Sequence, residues 1–413
     1  MKVKYLVSWV LVLVCGLFFT TTVFGQSVEA DLDKKLKAYK LVKMDAATAR
    51  GAVNQGQILK IPTLEGEANI ILTLNNDREE GFKSYASTST GRKVLPSIEV
   101  TTYQGKVIGA INSIAAFALD GRKIEGFFMI DGQQFIVSPA KEFSTAAASN
   151  EYVVFKTADS LGEGFSCAVT DKLAQGKRLV EKNINPFKKV SFFSNSFMPT
   201  GAMQSGYTTE YLELATDGDY SFVQYWGGVA GAEAAIAEAI NYAGALYINQ
   251  LGIDIRWVFG NSWTYQDPYP EGHVNTLLDA FAQYWEANFP RQLVDYKRDS
   301  AHLFTNKSIF GGSGAGFIGT VCNIPSAAYS MSRYNTTFFA QKNLFAHEVG
   351  HTLGGTHPEE LTPIPPGCGT SGESLMNGSV PSYANPLFCE FSRGQIRSLV
   401  DSTSCTNTPP RTF

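Results

Sequence analysis

The sequence predicts an α/β (α+β) second half, a twisted mixed sheet carrying long helices, behind a first half that is mostly β. Two patterns predict it. Residues from about Glu67 to Val137 fall into short runs of β-formers divided by turn pairs such as Asp120-Gly121 and Asp131-Gly132. From Glu210 onward, strand-like runs alternate with helix-length segments whose apolar residues recur every three or four positions. At 413 residues the chain also exceeds what one core usually holds, so two folded domains are expected.

The first 25 residues stand apart from both. Lys2 and Lys4 precede an apolar run from Tyr5 to Phe19, and small or polar residues then lead to a cleavage point after Gly25, with Val23 and Gly25 at the positions signal peptidase reads. Residues 1–25 therefore read as a secretory signal peptide. The run is too short for a membrane span. Cys15 lies inside it rather than after it, which argues against a lipid anchor. No stable membrane insertion is expected of the remainder.

Residues 27–60 read as a helical or loose leader. The strands expected next are Asn69–Leu74, Ser97–Thr101, Lys106–Ile111, Lys123–Ile130 and Gln133–Val137. The lysine-rich, Pro-containing stretch Lys172–Lys189 reads as a linker, so the domains are expected at 26–190 and 191–413. In the second, Glu210–Ala215 is a strand. Gly231–Gln250 is a long helix with Ala232, Ile236, Ala239, Ala243 and Leu246 on one face. Ile253–Phe259, Ala301–Thr305 and Ala315–Val321 read as strands, and His273–Trp285, Asn343–Leu353 and Ser392–Ser402 as helices.

Hydrophobic residues make up 44% and charged residues 17%, a globular balance. With 34 basic against 38 acidic residues and no basic block, nucleic-acid binding is excluded. Export would place the cysteines in an oxidising compartment. Cys15 leaves with the leader. Cys322, Cys368, Cys389 and Cys405 make two bridges in any of three pairings, and Cys167 is left over.

The chemistry concentrates in residues 347–357, HEVGHTLGGTH. Histidines four apart share a helix face, so His347 and His351 reach one metal. Gly354 tolerates the turn that ends the helix and brings round His357 as third ligand. Three ligands leave a fourth position open, as a catalytic zinc requires. Glu348 is placed as general base toward a zinc-activated water, which is the chemistry of peptide-bond hydrolysis. Met376, nineteen residues past His357, would floor the site. HExxHxxGxxH followed by such a Met-turn is the metzincin signature.

The chain resembles the adamalysin (reprolysin, ADAM-like) branch of the metzincin zinc metallopeptidases, prodomain included, over most of residues 100–405. Glu210–Leu214 is similar to that family's opening strand, and Asp299–Thr305 to its strand ahead of the substrate edge. Gly314, Ala315, Gly316 and Phe317 resemble the edge strand that pairs with substrate. Gly378 stands where astacins and serralysins usually have tyrosine. Pro358, however, replaces the Asp that adamalysins carry after the third His.

That resemblance implies bridges Cys322–Cys405 and Cys368–Cys389. It implies that Cys167, in Phe165-Ser166-Cys167-Ala168-Val169, is a cysteine switch whose thiolate fills the open zinc position. A calcium site at Glu213 and Asp299, with Asn407 nearby, is also implied. His273 and His302 read as structural.

The expectation is a secreted zinc endopeptidase, made as a latent zymogen and acting as a monomer, with a protein or peptide substrate and its own prodomain as inhibitor. Its rivals are a secreted zinc-binding protein without turnover and a zinc hydrolase of non-protein amides. Glu348 argues against the first and the peptide-pairing edge against the second.

Overall fold

The computed structural model describes residues 27–168, 209–334, 338–369, 372–403 and 405–406. The expected signal peptide and the Lys172–Lys189 linker lie outside them.

The first half opens with α1 (Val28–Leu32), β1 (Lys40–Lys43), α2 (Ala46–Asn54), β2 (Leu59–Thr63) and β3 (Gly66–Leu74). The Asp45 carboxylate accepts from the Thr48 N–H at 2.7 Å and starts α2, so the leader is ordered. A hairpin follows, made of β4 (Arg78–Thr88) and β5 (Gly91–Leu95). Then come β6 (Thr102–Val107), β7 (Ser113–Leu119), β8 (Ile124–Ile130), β9 (Gln133–Pro139) and β10 (Glu151–Lys156). All but the hairpin form an antiparallel sheet in the order β1-β10-β9-β8-β7-β6-β3-β2. Ser97–Thr101 is not a strand, despite its β-formers. No ladder forms along it: its one strand-like bond is from the Leu119 N–H to the Thr101 carbonyl at 2.8 Å, and the Arg78 guanidinium donates to the Ile98 carbonyl.

The second half supplies β12 (Glu210–Gly218), α3 (Tyr220–Tyr225), α4 (Val229–Leu251), β13 (Ile253–Trp263), α5 (Val274–Asn288) and β15 (Ser300–Thr305). The short pair β14 (Gly272–His273) and β16 (Ile309–Phe310) flanks α5. Then follow β17 (Gly314–Gly316), β18 (Tyr329–Arg333), α6 (Phe338–Thr352), β19 (Ser379–Val380) and α7 (Glu390–Ser402). Strand β15 is buried along its whole length, as parallel strands covered on both faces are. The strand expected over Ala315–Val321 stops at Gly316, because the chain turns through Gly319 at φ 67° and Cys322 at φ 62°.

The second sheet has the order β17-β18-β15-β12-β13-β4-β5. Its last two strands are the hairpin of the first half, with β4 parallel to β13 and β5 outside it. Nothing in the pattern of residues 78–95 foretold this exchange. Helix α4 lies between the two sheets, touching β13 on one side and β6 and β7 on the other. Both disulfides have the pairing the resemblance implied, with Cα–Cα distances of 5.7 Å for Cys322–Cys405 and 5.2 Å for Cys368–Cys389. No helix among the described residues is long and apolar enough to cross a membrane.

Candidate metal centre

Helix α6 carries His347, Glu348 and His351 into the interior, all essentially inaccessible. At its end the Gly354 N–H donates to the His351 carbonyl at 2.9 Å, and the Gly355 N–H to the Gly350 carbonyl at 2.9 Å. Gly354 sits at φ 95°, where glycine is at ease. This turn returns His357 to the other two histidines, with ring centroids 4.6, 4.8 and 5.3 Å apart.

Each imidazole is held by its Nδ1. That of His347 donates to the Leu375 carbonyl at 2.6 Å and that of His351 to the Gly355 carbonyl at 2.7 Å. His357 Nδ1 lies 3.0 Å from Glu360 Oε1. A carbonyl only accepts, so Nδ1 carries the proton and Nε2 keeps its lone pair. The Nε2 atoms of His347 and His357 are 3.3 Å apart. Burial first, and neighbouring imidazoles second, push His347 well below its ordinary value and His351 down to about 3. Three imidazole nitrogens facing one another form a donor set that fits zinc.

A fourth donor comes from the first half. Strand β11 (Phe165–Ser166) pairs antiparallel with β19, and Cys167 bridges in parallel to Gly314 of the sheet edge. Beyond that ladder, three backbone bonds hold this strap: Ser313 N–H to Ser166 O at 2.7 Å, Cys167 N–H to Gly378 O at 2.8 Å, and Ala168 N–H to Gly314 O at 3.0 Å. Cys167 Sγ lies 3.4 Å from His351 Nε2, and the four candidate ligand atoms are within 4.8 Å of one another. The Phe165 ring packs edge-on to His347 and is buried with Leu344, Val380 and Ala384.

Burial raises the Glu348 carboxyl well above its usual range. Its Oε2 is 3.6 Å from Cys167 Sγ, whereas Oε1 is buried with no hydrogen-bond partner. An orphaned acceptor beside four convergent ligand atoms fits a site built for a cation and its water. Burial and the Glu348 charge likewise raise the Cys167 thiol, a balance that a bound cation reverses.

Met376 is buried beside Gly350 and Gly355, which stand on either side of His351. A Cβ on Gly350 would come within 2.6 Å of its Sδ, and one on Gly355 within 3.0 Å of its Cε. The turn is held by the Ser374 N–H donating to Asn377 Oδ1 at 2.8 Å. Sequence reasoning missed its brace, Glu359, which accepts from Asn377 Nδ2 at 2.8 Å and from the Gly378 N–H at 2.5 Å. It also missed Glu360 on His357 and the seat of Phe165. The pair of acids directly after Pro358 was the available signal.

Gly314, Ala315 and Gly316 form the edge strand beside α6, and Phe317 follows it. The calcium expectation is not supported. The Asp299 Oδ2 accepts from the Glu213 N–H at 2.9 Å, Lys297 Nζ lies 3.6 Å from Glu213 Oε2, and Asn407 is outside the described residues. Among those residues, the three histidines with Cys167 are the one cluster suited to a metal. His273 caps α5 through a 3.3 Å bond from the Asn275 N–H, and His302 sits between Ser330 and Ser332 at 2.8 Å to each.

Residues 208–410 match the family described as metallo-peptidase family M12B, reprolysin-like. A zinc metalloproteinase-disintegrin-like protein of Cerberus rynchops is 23% identical over 304 residues, covering 70% of this chain and 46% of that protein. The chain thus spans about half the length of that curated relative. Among solved structures, metalloproteinase-II from Bacteroides fragilis is similar over 87% of this chain and 97% of its own, with 12% identity and a TM-score of 0.45. A chaperone–substrate complex is similar over 46% of this chain and 35% of its own, with 15% identity and a TM-score of 0.33. Likenesses at these two scores say nothing of function. With the histidine motif, its turn and its matched length together, the second half of this chain belongs to the reprolysin-like M12B metallopeptidase family.

Proposed function

We propose that this chain is a secreted zinc endopeptidase, with residues 1–25 a signal peptide, 26–190 an inhibitory prodomain and 191–413 the catalytic domain. The observation that supports it best is the set of three imidazole Nε2 atoms around one point, closed by a thiol from a strap along the sheet edge. His347, His351 and His357 hold the zinc, and Cys167 is its fourth ligand in the latent form. Zinc bound there polarises the scissile carbonyl and lowers the pKa of a water towards about 7.

The chain's own residues do the rest. Once the strap leaves, the Gly314 carbonyl and the Ser313 N–H are free to pair with an extended peptide along β17. Glu348 takes the proton of the attacking water on a carboxylate oxygen and passes it to the leaving amide nitrogen. The Leu375, Gly355 and Glu360 acceptors keep the imidazoles aimed while charge moves. Met376 gives them an apolar floor and keeps water out from below.

The test is hydrolysis of a mixed peptide library by the full chain, by a Phe165→Asp/Cys167→Ser form, and by that form with Glu348→Ala added. Each is assayed with and without a zinc chelator. Cleavage confined to the double variant, and lost with chelator or with Glu348→Ala, is expected. A folded, zinc-loaded double variant that cleaves nothing would overturn the peptidase reading.

A further inference from the structure

Helix α4 has almost no solvent face of its own, since sixteen of its 23 residues are buried. A helix covered all round needs a partner on each side. On one side that partner is the second half's own sheet. On the other it is the first half, whose Ile114, Ala116, Phe127 and Met129 share one continuous core with Ile236 and Ala239 of α4. Polar bonds follow the same seam. Asn241 Nδ2 donates to the Tyr103 and Phe117 carbonyls at 3.3 Å each, and Gln134 Nε2 donates to Tyr242 Oη at 2.9 Å.

The hairpin β4–β5 makes a second, independent junction. Strand β4 runs beside β13 from Phe259↔Lys83 to Trp263↔Ser87. Its Ser84, Tyr85, Ala86 and Ser87 are buried, whereas Val94 on β5 is 65% exposed, so β5 is the outer edge of the joint sheet. Arg92 lies 3.6 Å over the Phe289 ring and donates to Tyr296 Oη at 2.9 Å, fastening the hairpin to the second half. Without it, β13 would present a bare row of backbone donors and acceptors, which folded proteins avoid.

The inhibitory contact is small by comparison: the Phe165–Ala168 strap, with its two-residue ladder to β19, three further backbone bonds and one apolar seat. We propose that the first half is a lasting subunit of the active enzyme. A chain break between Ala168 and Thr209 lets the strap leave the cleft, while residues 27–156 remain on α4 and in the sheet. The active form is then two chains, with an outer sheet edge built by residues 78–95. This rests on the reading of Phe165–Ala168 as the inhibitory strap.

The experiment uses the full chain with a site-specific protease sequence inserted in the segment that joins residues 168 and 209. After cutting, the two fragments are followed by size-exclusion chromatography at successive dilutions, and hydrogen exchange is read on the amides of Gly260 to Trp263. Both fragments eluting together, at the volume of the uncut chain and with those amides as protected as before, is the expected result. Separation of the fragments, or loss of that protection, overturns the proposal whatever becomes of the second half. Neither readout involves a substrate, so a failure to hydrolyse peptides would count against the peptidase reading alone.

Discussion

Glu348 meets no hydrogen-bond donor at Oε1 and only the strap thiol at Oε2, so an isosteric replacement disturbs little besides chemistry. In the strap-free Phe165→Asp/Cys167→Ser form, Glu348→Gln is expected to lower kcat by about 10²–10⁴-fold, the usual worth of a placed general base. Zinc content by atomic absorption should stay the same, and unchanged kcat would remove Glu348 from that role. His302 is a second case at this scale. Burial pushes its pKa well below 6.5, so it folds neutral, while the unfolded chain takes up a proton below that value. Stability is therefore complete above about pH 6.5 and falls as the pH drops below it. A His302→Asn variant should lose about 1.4 kcal/mol less per pH unit in that range, measured by urea unfolding between about pH 6 and 5. Parallel pH slopes for the two proteins would refute it. The candidate metal ligands were legible as a cluster because three of them lie within one helix and one turn, His347 to His357. Glu359 and Phe165 were not, because their work is done on Asn377 and on the Leu344–Val380 seat, far away in sequence.

At the scale of elements, the edge strand is short and made of small residues because it lies directly on α6. A Cβ on Gly316 would stand 2.7 Å from the Glu348 carbonyl oxygen and 3.1 Å from His351 Cβ. The first of these is backbone and cannot swing aside. Gly316→Ala should then push β17 off α6 and cost about 1–3 kcal/mol, as overpacking in a closed interior does. A melting temperature equal to that of the parent chain would show that the strand has slack. The same local logic explains which elements the sequence revealed. Helices α4, α5 and α7 were found within a few residues of their ends, since their apolar spacing is a property of the segment itself. Strand β4 was missed. Its buried stretch is Ser84-Tyr85-Ala86-Ser87, and what makes it a strand is its neighbour β13, far later in the chain. Ser97–Thr101 is the converse case, with β-formers but no ladder along it.

Over the whole molecule, the two halves are joined by buried charge as well as by apolar surface. Lys123 Nζ lies 2.7 Å from Glu125 and 2.9 Å from Glu238, and Lys342 Nζ is 3.4 Å from Glu238. The first two residues belong to the β8 region and the others to α4 and α6, so the cluster spans the seam. Glu238 touches both ammonium groups, which hold it below the usual carboxylate range against the pull of burial. Burial raises Glu125 to about 7 even with Lys123 in contact. Lys123→Met therefore takes from Glu125 its contacting ammonium and leaves it only the field of Lys342, which Glu238 shares. Breaking a buried pair typically costs about 3–5 kcal/mol, and the part-exposed Lys123 tip reduces this to about 2–3 kcal/mol. Adding Glu125→Met removes the under-compensated charge and should restore most of the loss, since replacing a whole buried pair with apolar groups is often neutral. Urea unfolding of the two variants at about pH 7.5, above the raised Glu125 value, decides it. If the double variant is as unstable as the single one, the cluster acts through Glu238 and its hold on α4, and the seam depends on that charge rather than merely tolerating it.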